Sequence, residues 1–283
     1  MNLKKNFLTI LVLLGMFLPV VYVFKYENDK KKEISITHPS ASDPHAHPSV
    51  TIVYKTQLPD SLKTVLETTV RDYDLRYTLL DTLFITDTIV DYKYHSDTSS
   101  QISIAYGSPK TICLNKIFLK KGKTDTTLFR FTVAHELFHT LGSMYLEMNP
   151  YYVNPVFVIN GYRGLTMWMN LDKPNIRFSL LEEASAEMCA YYLYPDYMVQ
   201  SMEYQNIGFV LKAMIDSNWV KPKDLIEATK GSNPPKIISL LTNKSQNDLS
   251  RIDIVRIMNL FKKAYDNKNC YSELNELSRS RIK

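Results

Sequence analysis

Residues 132–145 read TVAHELFHTLGSMY. His135 and His139 stand four apart, and Glu136 directly follows the first. From Thr126 to Leu141 there is no Gly or Pro, and Leu128, Phe131, Leu137, Phe138 and Leu141 are spaced to pack. A helix from Thr126 to about Tyr145 is therefore predicted. Four residues turn a helix by about 400°, so the two imidazoles lie about 40° apart on one face, one turn apart in height. Both reach a single ion. Glu136 borders that face and reaches a water at the ion, where it serves as general base. Ordinary packing roles for the three would bring a desolvation cost with little return.

Zinc in such sites takes a third protein ligand. Six residues past His139 the chain has Tyr145, and no histidine follows His139 anywhere. The remaining histidines are His38, His45, His47 and His95. The third ligand is then an acidic residue downstream, or His95. The strongest acidic segment is LEEASAEMCAYYLY, residues 181–194. Glu183 and Glu187 are four apart and share a helix face, and Ala184, Ser185 and Ala186 between them permit close helix packing. Glu183 is predicted as the ligand. Glu187 is predicted to accept the Nδ1–H of a ligating histidine. Glu182 and Asp172 stay open as alternative ligands, and Glu182 and Glu183 also suit the helix dipole near a helix start.

HELFH at 135–139 and EEASAE at 182–187 together resemble the gluzincins, the zinc peptidases with an HExxH helix and a downstream glutamate. The resemblance covers roughly residues 100–195 and implies a zincin-like fold, one Zn²⁺ and hydrolysis of peptide bonds. It carries the metal-ligand role to His135, His139 and Glu183, the catalytic role to Glu136 and the orienting role to Glu187. Two departures concern the subfamily. The gap from His139 to Glu183 is 44 residues, longer than in well-known members, and no GxMEN-type motif precedes HELFH. The related HExxHxxGxxH pattern of metzincins is matched through Gly142 and fails at Tyr145. Gly142 then reads as a helix-end or close-packing residue.

Peptide hydrolysis also needs a donor for the developing oxyanion. With no downstream histidine, a tyrosine or arginine must supply it. Tyr191, Tyr194 and Tyr162 are the named candidates, with Tyr151, Tyr152, Arg163, Tyr197 and Tyr204 behind them. Nineteen tyrosines make any single choice weakly determined. The extended piece Ser108–Leu119 before the motif helix can offer a sheet edge to a peptide substrate, and pairing of that kind is sequence-tolerant.

The N-terminal segment differs from the rest. NLKKN is followed by the uncharged apolar run Phe7–Phe24, whose eighteen residues span roughly 27 Å as a helix. Residues 1–25 are expected to form a signal anchor or signal peptide, and 26–49 a charged, Pro-containing linker. An anchored chain with its catalytic domain outside the cytoplasm is expected, with secretion after signal cleavage as the alternative. Six lysines against Glu27 and Asp29 place +4 of the chain's +5 in residues 1–32, leaving +1 for the remainder. That excludes an electrostatic footprint for nucleic acid in the folded part. Cys113, Cys189 and Cys270 form no CxxC pair and no disulfide framework; Cys113 and Cys189 read as core residues. The HAH at His45–His47 reads as solvated linker.

Residues 50–283 are expected to form one α+β domain. In 50–145, VTIVYK (Val50–Lys55), Thr82–Tyr92 and Gln101–Gly107 read as strands, Ser108–Lys123 as an extended piece or hairpin, and 59–72 as a helix with Leu62, Val65, Leu66 and Val70 inward. In 146–283, residues 150–175 read as irregular. Helices follow over Ser179–Tyr194, Tyr197–Ser217, Pro222–Thr229, Pro235–Thr242 and Ile252–Asn267, then a polar tail. The rival function is a catalytically silent zincin-fold module that binds a partner at the membrane surface. Glu136 argues against it, since a binding module needs no base there.

Overall fold

The computed structural model describes residues 34–36, 50–77, 79, 81–87, 105–108, 110–115, 125–142, 151–154, 157–170, 176–195, 202–266 and 268–282. The apolar run 7–24, the linker histidines, His95 and Asp172 lie outside them. The chain divides into units 1–34 and 35–283, and strand β1 (Ile34–Ile36) straddles the boundary. Among the described residues no helix is long and apolar enough to cross a membrane.

The second unit is a mixed α/β structure, mostly helical, with two sheets. From β2 onward the first sheet has neighbours β2 (Thr51–Tyr54), β3 (Thr82–Thr86), β5 (Thr111–Leu114) and β4 (Ala105–Ser108). β2, β3 and β5 are parallel, and β4 returns antiparallel to β5. The parallel β2–β3 step needs a crossover, and helix α1 (Asp60–Tyr77) provides it. Its Leu66, Val70 and Tyr73 are buried with Ile52, Ile85, Ile112 and Leu114 of the strands. α1 runs past the predicted 59–72, because Tyr73, Asp74 and Tyr77 continue its buried face. The β4–β5 turn passes through Lys110 at φ 57°, and the Lys110 N–H donates to the Thr140 carbonyl at 3.2 Å. The hairpin is thereby fastened to the end of the motif helix.

That helix is α2 (Thr126–Thr140). Asp125 caps it, accepting from Thr127 N–H at 2.8 Å and Leu128 N–H at 3.2 Å, which satisfies two of the free donors at its start. It ends near Leu141, whose N–H turns back to Phe138. Phe129, Val133, Ala134, Leu137 and Phe138 are almost wholly inaccessible. Helix α3 (Leu180–Leu193) packs across α2, with Ala184, Ser185, Ala186 and Ala190 buried.

Between α2 and α3 the structure corrects the sequence expectation. Residues 150–175 include three strands of a four-stranded antiparallel sheet: β6 (Tyr151–Asn154), β7 (Phe157–Arg163), β8 (Thr166–Asn170) and β9 (Ile176–Phe178). β7 and β8 are joined by a two-residue turn, Gly164–Leu165, with Gly164 at φ +56°. A positive φ at the first turn residue alone suits a type II′ hairpin. Bulges interrupt the register in both β6–β7 and β7–β8, so the alternation that reveals a strand is broken.

The remaining helices are α4 (Met202–Asp216), α5 (Pro222–Lys230), α6 (Pro234–Thr242), α7 (Arg251–Tyr265) and α8 (Tyr271–Ile282). The first four follow expectation closely, except that the expected start of α4 at Tyr197 lies outside the described residues. α8 replaces the expected polar tail: its Leu277 is fully buried although most of the helix is polar. Cys189 is buried, Cys113 and Cys270 only partly so, and none of the three is in a disulfide.

Candidate metal centre

α2 and α3 build the centre jointly. His135 Nε2 and His139 Nε2 stand 3.4 Å apart. Glu183 Oε2 completes a triangle, 3.3 Å from the first and 3.5 Å from the second. Donors about 2.0–2.1 Å from a tetrahedral ion are separated by about 3.3–3.4 Å along the tetrahedron's edges. The three atoms therefore fit three corners of a tetrahedron around one ion. His135, His139 and Glu183 form a group that could hold a metal ion.

The outer nitrogens are held as well. His135 Nδ1 is 3.2 Å from Glu187 Oε2, and His139 Nδ1 is 3.0 Å from Glu182 Oε1. A carboxylate on Nδ1–H fixes the tautomer that turns the Nε2 lone pair to the centre. Three consecutive roles thus fall on one helix. Glu182 holds one imidazole, Glu183 stands between both, and Glu187, one turn on, holds the other.

Charge explains why such a cluster is tolerable. Burial opposes protonation of His135, but hydrogen bonds to Glu183 and Glu187 and the charge of Glu136 push its pKa up to about 10. His139 is likewise buried, and the charge of Glu183 with hydrogen bonds to Glu182 and Glu183 carries it well above its ordinary value. Burial would raise Glu183; the two histidines hold it well below the usual carboxylate range. The carboxylates thus demand positive charge between the imidazoles, and protons or a divalent cation meet that demand at the same place.

Glu136 lies beside the triangle, buried, and its Oε2 accepts from the Gly107 N–H at 2.5 Å. Burial raises its pKa against the pull of both histidines. Gly107 sits on β4, and a Cβ there would come 2.5 Å from the Glu136 carbonyl and 2.8 Å from His139 Cβ. Only glycine lets the strand approach this close. The signal was present in QISIAYG, since a glycine within a strand pattern often marks close backbone approach.

Tyr204, on α4, stacks on the His135 ring with centroids 5.9 Å apart and planes inclined by 24°. Gly208 one turn later lets α4 lie against Glu187, whose Cγ would be 3.1 Å from an added Cβ. Of the three named tyrosines, Tyr194 donates to Asp72 on α1 and lies under Arg130. Tyr191 packs edge-on to Tyr192 beneath Lys212. Tyr162 lies on β7 opposite Met167, with its side chain outside the described residues. Tyr204 is therefore the tyrosine that the described structure places against a member of the triangle. Gly107, Thr166 and the orienting role of Glu182 had no counterpart in the sequence reading. Glu182, an alternative ligand by sequence, instead holds the outer nitrogen of His139.

Comparison of the chain with protein-family models, with curated proteins and with solved structures finds no match.

Proposed function

We propose that this chain is a zinc-dependent, gluzincin-like metallopeptidase that hydrolyses peptide or protein substrates, with a zincin-like domain tethered to a membrane. One observation carries the reading: two Nε2 atoms and one carboxylate oxygen at tetrahedral-edge spacing, both outer nitrogens held by carboxylates, and a buried glutamate beside them. His135, His139 and Glu183 would hold one Zn²⁺, and nitrogen and oxygen donors in this number suit it. Bound there, it would supply the Lewis acidity that makes water a nucleophile at neutral pH.

The chain's own groups do the rest. Glu136 takes a proton from the attacking water on its carboxylate and returns it to the leaving amine nitrogen. A raised pKa suits a group with both tasks. The Gly107 N–H holds that carboxylate at the sheet edge. β4 ends the order of strands in the first sheet. In an antiparallel pair the main-chain groups of alternate residues face away from the partner. Gly107 is one such residue, its N–H taken by Glu136, and Ala105, two earlier, is the next. An extended substrate pairs along that edge and brings its carbonyl towards the centre. The apolar run Phe7–Phe24 behind NLKKN supports the tether, with the domain outside the cytoplasm.

The test compares the purified wild type with Glu136→Gln. The wild type is expected to retain about one zinc per chain and to cleave members of a broad peptide library. Glu136→Gln is expected to retain zinc and lose roughly 10²–10⁴-fold in turnover. A wild type that holds zinc and cleaves nothing would favour the silent binding module.

A further inference from the structure

Glu182 is held from two directions. Its Oε1 meets His139 Nδ1 at 3.0 Å. Its Oε2 accepts both donors of one residue, the Thr166 N–H at 2.8 Å and the Thr166 Oγ1–H at 2.5 Å. Thr166 is the first residue of β8 and is buried. The turn before it presses on the same carboxylate, for a Cβ at Gly164 would lie 3.1–3.3 Å from the Glu182 carboxylate atoms. That turn is pinned from behind, where the Gly164 N–H donates to Ser232 Oγ at 3.1 Å. Ser232 is itself buried, at φ 45°, in the connection between α5 and α6.

We propose that Thr166 is a positioning residue of the metal centre: through Glu182 it sets the orientation of His139, making the β7–β8 hairpin of the second sheet part of the apparatus that tunes metal affinity. The inference rests on the reading that His135, His139 and Glu183 hold a metal. A carboxylate with one free oxygen can swing about its Cγ–Cδ bond. With Oε2 bound by two donors fixed to one backbone, Oε1 has a single direction in which to meet Nδ1. His139 Nε2 is then aimed before any ion arrives, and the ion need not order the ring. Removing the threonine hydroxyl leaves the N–H alone to hold Oε2, and the imidazole gains freedom that binding must take away.

The experiment uses the full chain. Zn²⁺ affinity is measured by competition with a chromophoric chelator, and the visible spectrum of the Co²⁺-loaded protein reports ligand geometry. Thr166→Val keeps size and N–H but loses the hydroxyl. It is expected to weaken Zn²⁺ binding roughly 10–100-fold, the range for groups that orient ligands, and to shift the Co²⁺ bands. Its metal-free melting temperature is expected to fall by only a few degrees, the cost of one hydrogen bond to a buried carboxylate. Thr166→Ser restores the hydroxyl and is expected to recover affinity to within about threefold. Wild-type affinity and spectrum in Thr166→Val would overturn the proposal. So would a Thr166→Ser as weak as Thr166→Val, which would mark a packing defect. A wild type that binds neither ion would defeat the metal reading itself, and this inference with it. That outcome is told apart because it appears before any substitution is made.

Discussion

The two histidines of the centre are held by the same chemistry in different settings. On the His139 side, the orienting carboxylate of Glu182 has both oxygens occupied, one by the imidazole and one by two donors of Thr166. On the His135 side, Glu187 gives Oε2 to the imidazole at 3.2 Å, and its buried Oε1 has no hydrogen-bond partner among the described residues. What holds this side is packing: Tyr204 stacked on the ring and α4 drawn close over Glu187 at Gly208. One arm is fixed by directional hydrogen bonds from a sheet, the other by surface contact with a helix. Hydrogen bonds restrict angle, whereas packing restricts volume. The His139 arm therefore fixes the aim of its ring, and the His135 arm retains more latitude.

The largest expected effect removes what the arms share. Glu183→Ala takes away the one donor lying between both imidazoles, and metal retention should fall beyond the roughly 100-fold expected of any orienting residue. Gel filtration followed by elemental analysis checks it. Full occupancy in this variant would mean that the triangle is not the metal site. The two arms are then compared directly. Glu182→Ala and Glu187→Ala should each weaken Zn²⁺ binding by roughly 10–100-fold, but stability should separate them. Losing Glu182 strands the buried N–H and hydroxyl of Thr166, costing about 1–3 kcal/mol. Losing Glu187 strands no such pair. Urea denaturation in chelator should therefore rank Glu182→Ala below Glu187→Ala, and the reverse order would break the comparison.

The smallest effect lies outside both arms and serves as their control. Asp253 opens α7, accepting from Ser250 and pairing with Lys244 at 2.8 Å. Burial would raise its pKa, but Lys244 and Ser250 hold it below the ordinary value. A carboxylate depressed in the folded state stabilises the fold above its unfolded pKa of about 3.9, and that contribution fades as pH falls through the folded value. Asp253→Asn should lower the melting temperature at pH 6.5, with the difference from wild type shrinking below about pH 4. Metal affinity should not change.

Much of the fold was legible where patterns are local. The alternation of VTIVYK, the apolar stripe of α1 and the Gly- and Pro-free run of α2 follow from the periods of strand and helix. The second sheet was not legible. Its strands are bulged and lie among prolines, and which residues face the core depends on neighbours that period alone does not name. α8 was missed because its burial rests on few apolar contacts, Leu277 chief among them. At the site, HELFH announced a metal-ligand face, and the absence of later histidines directed attention to EEASAE. Of the two adjacent glutamates, the face shared with Glu187 favoured Glu183 as the ligand but left Glu182 open. The two point about 100° apart on a helix, and either direction is inward until the rotation of α3 is known.

By itself, then, the sequence determined the short-range facts: two imidazoles one turn apart, a glutamate beside them and a second helix bearing acids four apart. Each follows from the helical repeat, which needs no tertiary partner. The structure alone decided how 44 residues later the second helix is turned. Thr166 takes up Glu182, so Glu183 stands between the rings, and Gly107 brings a strand onto Glu136. Those relations depend on packing between elements distant in the chain, where close approach and hydrogen-bond direction, rather than period, select one arrangement.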